Sequence, residues 1–311
     1  MAAPRPGPLR PARGFAPMNN VNGILLVVAA MAAFSIEDMF IKKLSVTVPI
    51  GQILLVLGVF CSAAFLTMAV ATRKRVFSRA AWSPLLLIRA ATEAVSALTF
   101  ATALSLVDLS TVAAVFQAMP LVVTMGAALF LGEQVGWRRW SAITVGFVGV
   151  LMIIRPGMAG FQPAQLLVVA SVISVAARDL ITRRIDAHVA SAVVSFQAYL
   201  ALILGGAGIL LVSGTALVPV EPGHWGPYAG AILFGVLGYY GIVTAMRVGE
   251  ASVVTPFRYT RLLFSLLAGV LVFGERPDWP TLAGGALIIG SGLYTFLRER
   301  RLARELAAVP A

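Results

Sequence analysis

Ten apolar runs, each about long enough to cross a bilayer, constrain this 311-residue chain more than any other feature. A hydrocarbon core of roughly 30 Å takes about 20 residues of helix. Runs of that kind occupy residues 21–41, 47–71, 84–106, 110–131, 139–154, 164–183, 189–213, 226–246, 251–273 and 280–297. In lipid every backbone polar group needs an internal partner, so the runs read as helices. No ten-residue alternation points to a barrel. The expected fold class is an all-α polytopic membrane protein.

Composition agrees. Hydrophobic residues make up 59% of the chain and charged residues 12%, with a mean hydropathy of +0.91. A soluble domain usually carries about 25% charged residues. This balance excludes an ordinary cytosolic enzyme, a disordered protein and, despite the net charge of +11, a nucleic-acid binder. The single Cys61 excludes disulfides and a cysteine metal site, and His188 and His224 fall in loops, so no metal or cofactor is expected. No Walker sequence is present to use ATP, and no Gly-x-Ser-x-Gly nucleophile turn, so no enzyme activity is expected.

Basic residues set the expected orientation. With both ends inside, sixteen Lys and Arg fall in cytoplasmic segments and four (Lys42, Lys43, Arg155 and Arg276) on the opposite face. That bias predicts cytoplasmic termini in a bacterial inner membrane. Residues 1–20 combine five prolines with Arg5, Arg10 and Arg13 and read as a disordered cytoplasmic tail. A signal peptide ending near Ala30-Met31-Ala32 is the competing reading, but the apolar run continues to Ile41. Residues 298–311 read as a basic cytoplasmic tail.

Shifted by 142 residues, the chain partly overlays itself. Ser110 meets Ser252, Gly132-Glu133 meets Gly274-Glu275, and Trp137 meets Trp279. At a shift of 141, Asp38 meets Asp179, and Lys42-Lys43 meets Arg183-Arg184. The repeats are expected over 21–157 and 163–297. Five helices per repeat is an odd number, so the halves must insert in opposite orientations. Inverted repeats are how many secondary carriers form two related conformations around a midplane site.

The segments Ala113–Pro120 through Gly132-Glu133, and Ala251-Ser252-Val253-Val254 through Gly274-Glu275, resemble the drug/metabolite transporter superfamily of EamA type. The resemblance covers roughly residues 21–297. It implies ten helices in two inverted five-helix repeats. The first four helices of each half would line a central cavity, and the fifth would be peripheral. It also implies transport of amino acids, nucleosides, vitamins or other polar metabolites. The second half departs from the first where Arg258, Arg261 and Leu262 stand opposite Phe116, Met119 and Pro120. The stretch from helix 9 to helix 10 is similar to alphaproteobacterial members assigned to riboflavin or S-adenosylmethionine uptake.

Eight ionisable residues fall inside spans: Glu37, Asp38, Arg89, Glu93, Arg178, Asp179, Arg258 and Arg261. Each Arg or Asp at a helix centre costs about 2.5–3.5 kcal/mol, so they should pair or face a wet cavity. Arg89 and Glu93, four apart on one face, form either a pair that orients the helix or a substrate contact. Arg258 and Arg261 have no acid on their own helix, and need an anionic ligand or a salt bridge to Glu93 or Asp38. Glu37 and Asp38 lie about one turn from the end of helix 1 beside Lys42 and Lys43, and Arg178 and Asp179 near the cytoplasmic end of helix 6, so a snorkelling, interfacial role and a ligand role both stand. Adjacent residues point about 100° apart, so only one of each pair can face the centre, and Asp38 is preferred over Asp179 as a ligand.

Gln117, Gln197, Tyr239, Tyr240 and Tyr259, with Asp38, Arg89, Glu93, Arg178, Arg258 and Arg261, complete the candidate substrate-binding set. Midplane tyrosines need a hydroxyl partner and can stack on a planar solute. Trp137, Trp140, Trp225 and Trp279 fit interfacial anchoring, and the glycine pairs 146/149, 235/238 and 284/285 close helix packing. Pro120 and Pro256 should bend helices 4 and 9. Glu133 and Glu275 sit at loop edges, where capping, closing contacts or gating would each explain them.

The expected activity is carriage of a small polar or zwitterionic solute by alternating access, with riboflavin, S-adenosylmethionine or an amino acid as candidates. Glu93 or Asp38 is the expected site of a coupling proton, and the working unit a monomer or homodimer in the lipid bilayer. A flippase of lipid-linked substrates and a membrane sensor that binds without transport are the alternatives.

Overall fold

The computed structural model describes residues 20–133, 135–158, 160–182, 189–248 and 251–307. The tail expected over residues 1–20 lies outside them but for Asn20, as do His188 and the Arg183-Arg184 pair. The ten spans run Asn20–Leu44, Ile50–Ala71, Pro84–Leu106, Leu109–Leu131, Trp137–Ile154, Gln165–Thr182, Ser191–Ser213, Pro222–Ala245, Thr255–Phe273 and Trp279–Arg298. There is no strand among the described residues. An even number of crossings puts Asn20 and Ala307 at one end of the bundle, called here the terminal end; the other is the far end. The last helix runs on to Ala307, beyond the membrane-spanning stretch. The segment expected as a basic tail therefore continues the helix through residue 307, in keeping with the high helix propensity of Arg, Glu, Leu and Ala.

The two halves interdigitate. The most extensive contacts pair the first span with the eighth, the second with the seventh, the fifth with the tenth, and the third with the sixth and seventh. All of them join a helix of residues 20–154 to one of residues 165–307. Glycines permit the closest approaches. A Cβ on Gly149 would stand 2.6 Å from the Gly284 carbonyl oxygen, and one on Gly206 would stand 2.7 Å from that of Gly51.

The repeated Gly-Glu has a backbone explanation. Gly132 and Gly274 end the fourth and ninth spans in the left-handed region, at φ 69° and 66°. The next amide in each half reaches back six residues, Glu133 N–H to Ala127 O at 3.2 Å and Glu275 N–H to Gly269 O at 3.0 Å. This is the helix-stop motif in which glycine tolerates positive φ and the following N–H satisfies an orphan carbonyl.

Both motif-bearing spans are interrupted at a proline, the fourth about a third of the way along and the ninth in its first turns, as the prolines led us to expect. The fourth is helical over Leu109–Phe116 and again over Met119–Leu131, with Pro120 in the first turn of the second piece. The ninth passes from Ala251–Val254 through a 3-10 turn at Thr255–Tyr259, with Pro256 in that turn's first positions, into Thr260–Phe273. Proline lacks the N–H that would continue the helix ladder, and freed backbone groups then find other partners. Gln117 Nε2 donates to the Tyr259 carbonyl at 3.1 Å, so the two breaks touch at positions 142 residues apart.

Gly149→Ala forces a methyl group onto a backbone oxygen and should destabilise the fold by about 1–3 kcal/mol. Gly208→Ala, with nothing within 4 Å of the new Cβ, is the control and should be neutral or stabilising by up to about 1 kcal/mol. Thermal unfolding in detergent, followed by gel-filtration recovery, checks both.

Candidate functional site

The break in the ninth span positions the site's cations. Arg261 opens the helix that follows it, and its Nη2 lies 2.7 Å from Asp38 Oδ2 on the first span. Its guanidinium faces the rings of Phe34, Phe100 and Phe116 at 5.4, 5.4 and 5.2 Å. Beside it Ser35 Oγ donates to the Arg261 carbonyl at 3.2 Å and sits 3.0 Å from Ser265 Oγ. Arg258, one turn earlier, has no hydrogen bond or ion pair with any described residue and lines a cavity.

A second ionic cluster joins the third and sixth spans. Glu93 meets Arg178 Nη1 at 2.5 Å and Arg89 Nη2 at 3.1 Å. Arg178 also holds Asp179 at 2.7 Å, and Arg89 Nε donates to Thr182 Oγ1 at 3.1 Å. Arg89 Nη1 is buried without a hydrogen-bond partner among the described residues.

The cavity has a volume of about 440 Å³. Phe34, Phe116, Gln117, Arg258, Tyr259 and Arg261 form its inner wall, and Thr124, Asp179, Thr182, Thr255 and Thr295 line it toward the terminal end. Of the expected site residues, Gln117, Arg258, Tyr259 and Arg261 therefore line one space. Asp38 meets it through Arg261, and Arg89, Glu93 and Arg178 brace its wall behind Asp179 and Thr182. Asp179, ranked below Asp38 as a ligand, is the acid on the cavity surface, whereas Asp38 is buried against Arg261.

Besides Asp38, Arg89, Glu93 and Arg178, three more expected residues are not in the cavity lining: Gln197, Tyr239 and Tyr240. Gln197 donates to the Ala81 carbonyl at 2.6 Å, tying the seventh span to the loop before the third. Tyr239 packs edge-on against Phe65, 5.3 Å between centroids, and does not line the cavity. Tyr240 is 54% exposed on the other face of the eighth span; 100° of helix rotation separates neighbours, so both cannot face inward. The ring cage of Phe34, Phe100 and Phe116 leaves no signal in the sequence, where lone phenylalanines look like ordinary lipid-facing residues.

The far end is closed by residues from both halves. Glu275 is 8% exposed and accepts hydrogen bonds from the amides of Leu109 at 2.6 Å and Ser110 at 3.0 Å, and from Ser110 Oγ at 2.7 Å. A carboxylate at a helix N-terminus satisfies orphan amides and meets the positive end of the helix dipole. Asp108 holds the N-cap position of that helix but makes no side-chain cap; Glu275 takes that part from the other half. Burial and the nearby Glu275 push the Asp108 carboxyl above its usual range, against the pull of Lys42.

Lys42 Nζ lies 3.4 Å from Glu275 and donates to the Val107 carbonyl at 2.5 Å. Arg155 pairs with Asp278, which also caps the tenth span through Thr281 N–H at 3.0 Å. Burial pushes the Asp278 carboxyl up, but Thr281 and Arg155 outweigh it and hold it below the ordinary range. Gln52 exchanges two hydrogen bonds of 2.8 Å with the Val218 backbone.

Two copies of one sequence model account for this architecture: that of the EamA-like transporter family matches residues 21–155 and 162–297. The chain belongs to the EamA-like transporter family. Among its relatives are an S-adenosylmethionine uptake transporter of Rickettsia bellii, 29% identical over 64% of this chain and 67% of that protein, and a riboflavin transporter of Vibrio cholerae, 31% identical over 62% and 64%. The match thus spans about two thirds of the length of these two. A pseudopaline exporter of Pseudomonas aeruginosa is 27% identical over 86% of this chain and 93% of that one. A solved crystal structure shares the fold at a TM-score of 0.63 and 18% identity, covering 91% of this chain and 99% of its own.

Glu275→Ala removes three charge-assisted hydrogen bonds and the Lys42 partner. Such bonds are worth about 1.5–3 kcal/mol each, so hydrogen–deuterium exchange at the Leu109 and Ser110 amides should quicken by an order of magnitude or more. The folded Asp278 carboxyl is depressed, so its contribution to stability is full above the ordinary carboxylate range and is lost as pH falls from that range through the lowered folded value, which acid unfolding followed by circular dichroism checks against Asp278→Asn.

Proposed function

We propose that this EamA-like chain is an inner-membrane secondary carrier, termini cytoplasmic, that moves a small organic solute bearing a carboxylate or other anionic group beside a planar moiety. The observation that carries the reading is Arg258, a cavity-lining guanidinium with no hydrogen bond or ion pair among the described residues and Asp179 acting on it only across the cavity, next to Tyr259 and the Phe34/Phe116 wall. A cation at membrane depth is costly without a counter-charge. A bound anion supplies one, and the neighbouring rings supply a stacking surface. Gln117 and the hydroxyls of Thr124, Thr182 and Thr255 give uncharged hydrogen-bonding capacity to the rest of the solute.

Closure of the far end by Glu275, Lys42, Arg155 and Asp278, with a cavity lined toward the terminal end, supports a conformation facing the side where the termini lie. Inverted repeats give the opposite conformation by exchanging the roles of the halves. Relatives named as uptake carriers and as an exporter support a shared scaffold for either direction. S-adenosylmethionine carries a carboxylate and a planar base, the two kinds of group that Arg258 and the ring wall would take, with Asp179 available to its cationic groups; riboflavin carries the planar part.

Proteoliposome counterflow with labelled S-adenosylmethionine, riboflavin and a panel of amino acids tests the reading. A carboxylate-bearing solute should exchange, and Arg258→Gln should raise its half-saturation concentration by roughly 10–100-fold, the loss of one charged hydrogen-bonded contact. Binding of a panel solute without flux contradicts carriage, and so does movement of lipid-linked solutes alone.

A further inference from the structure

Of the eight charged residues named from the sequence inside the spans, seven are accounted for by the ionic clusters and the cavity. The eighth is Glu37. It lies one turn beyond Phe34 on the same face of the first span, which puts it past the inner wall of the cavity on the way to Lys42 and the closed far end. Its carboxylate rests against Gly235 of the eighth span, where an added Cβ would stand 2.6 Å from Oε1. The same helix face sets Phe34 against Gly238 and Phe40 against Gly230. The first span thus packs its side chains along a glycine track, with Glu37 the charged group within it.

Glu37 is half-buried and has no hydrogen bond or ion pair with any described residue. The titratable and charged groups around it are Asp38 on its own helix, Arg261 from the ninth span, Cys61 from the second and Tyr199 from the seventh. Tyr239 of the eighth span and Glu93 of the third lie one shell further out, beside Tyr199. Arg261 is the cation in reach, and Asp38 already holds its Nη2 at 2.7 Å. The carboxylates named from the sequence as proton sites, Asp38 and Glu93, are each locked to guanidinium groups. A proton reaching either must displace an ion pair, whereas a carboxyl in apolar surroundings with no cation of its own costs less neutral than charged.

We propose that Glu37 is the proton-binding site of this carrier, loaded when the far end is closed and emptied when the first span shifts along the glycine track of the eighth. The inference rests on the carrier reading above and adds the coupling ion and its residue. Protonation removes a carboxylate without an ion-pair partner among the described residues from the interface between first and eighth spans, which lets the two helices move past each other; deprotonation re-imposes the cost of burying it. The solute site at Arg258 and the proton site at Glu37 are then separate places, joined through Arg261 and Asp38.

Infrared difference spectroscopy of the full chain in lipid, recorded across a pH titration, reads the site without any solute. A carboxylic-acid C=O band that titrates in the native protein should vanish in Glu37→Gln and persist in Asp38→Asn and Glu93→Gln. In proteoliposomes, Glu37→Gln should retain counterflow of labelled S-adenosylmethionine or riboflavin while losing all accumulation driven by a pH gradient. A merely structural role would lower both activities together. A band that survives in Glu37→Gln overturns the inference, as does gradient-driven accumulation in that variant equal to the native level. Absence of counterflow for every probe in the native protein counts against the carrier reading instead, and the infrared band still decides Glu37.

Discussion

A charged side chain inside a bilayer is held by an opposite charge or by water, and in this chain the opposite charge repeatedly comes from the other half. Asp38 of the first half holds Arg261 of the second, Glu93 holds Arg178, and Lys42 holds Glu275. At the far end Arg155 and Asp278 repeat the pattern. Apolar packing alone cannot fix how two bundles meet in lipid, because lipid tails are as good a partner as leucine. Directional pairs can. They specify register between the halves, and each is a contact that can be made in one arrangement and released in another.

The sequence repeat explains where those contacts sit. Gln117 and Tyr259 are equivalent positions and touch each other, as residues near an axis relating two inverted copies must. Glu133 and Glu275 are equivalent and lie at opposite ends, as residues far from the axis must. Equivalence is incomplete where chemistry is concentrated: Arg258 and Arg261 stand where the first half has Phe116 and Met119. One half thus contributes the guanidinium groups and the other much of the ring surface around them.

Helix number, the Gly-Glu repeat, the two proline breaks and the membrane class were legible in the sequence because each has a local cause: run length, a positive-φ glycine, a missing N–H. Arg261 with Asp38 was legible as one of two pairings, since an unpaired cation in lipid demands an acid. What was not legible depends on rotation about helix axes. Tyr239 and Tyr240 looked alike on paper and face different ways, and Gln197 turned to a loop carbonyl. Glu275 as a cap for a helix 166 residues earlier could not be read from either segment alone.

If the pairs between halves set which end is shut, releasing one end should close the other. Double electron–electron resonance in nanodiscs measures this directly, with spin labels at exposed positions Leu106 and Arg276 across the far end, and at Leu129 and Leu297 across the cavity mouth. Compared with the native background, Glu275→Gln should lengthen the first distance and shorten the second within one population. Distances that leave both ends unchanged, or that lengthen at both ends together, would contradict two halves rocking about a shared centre.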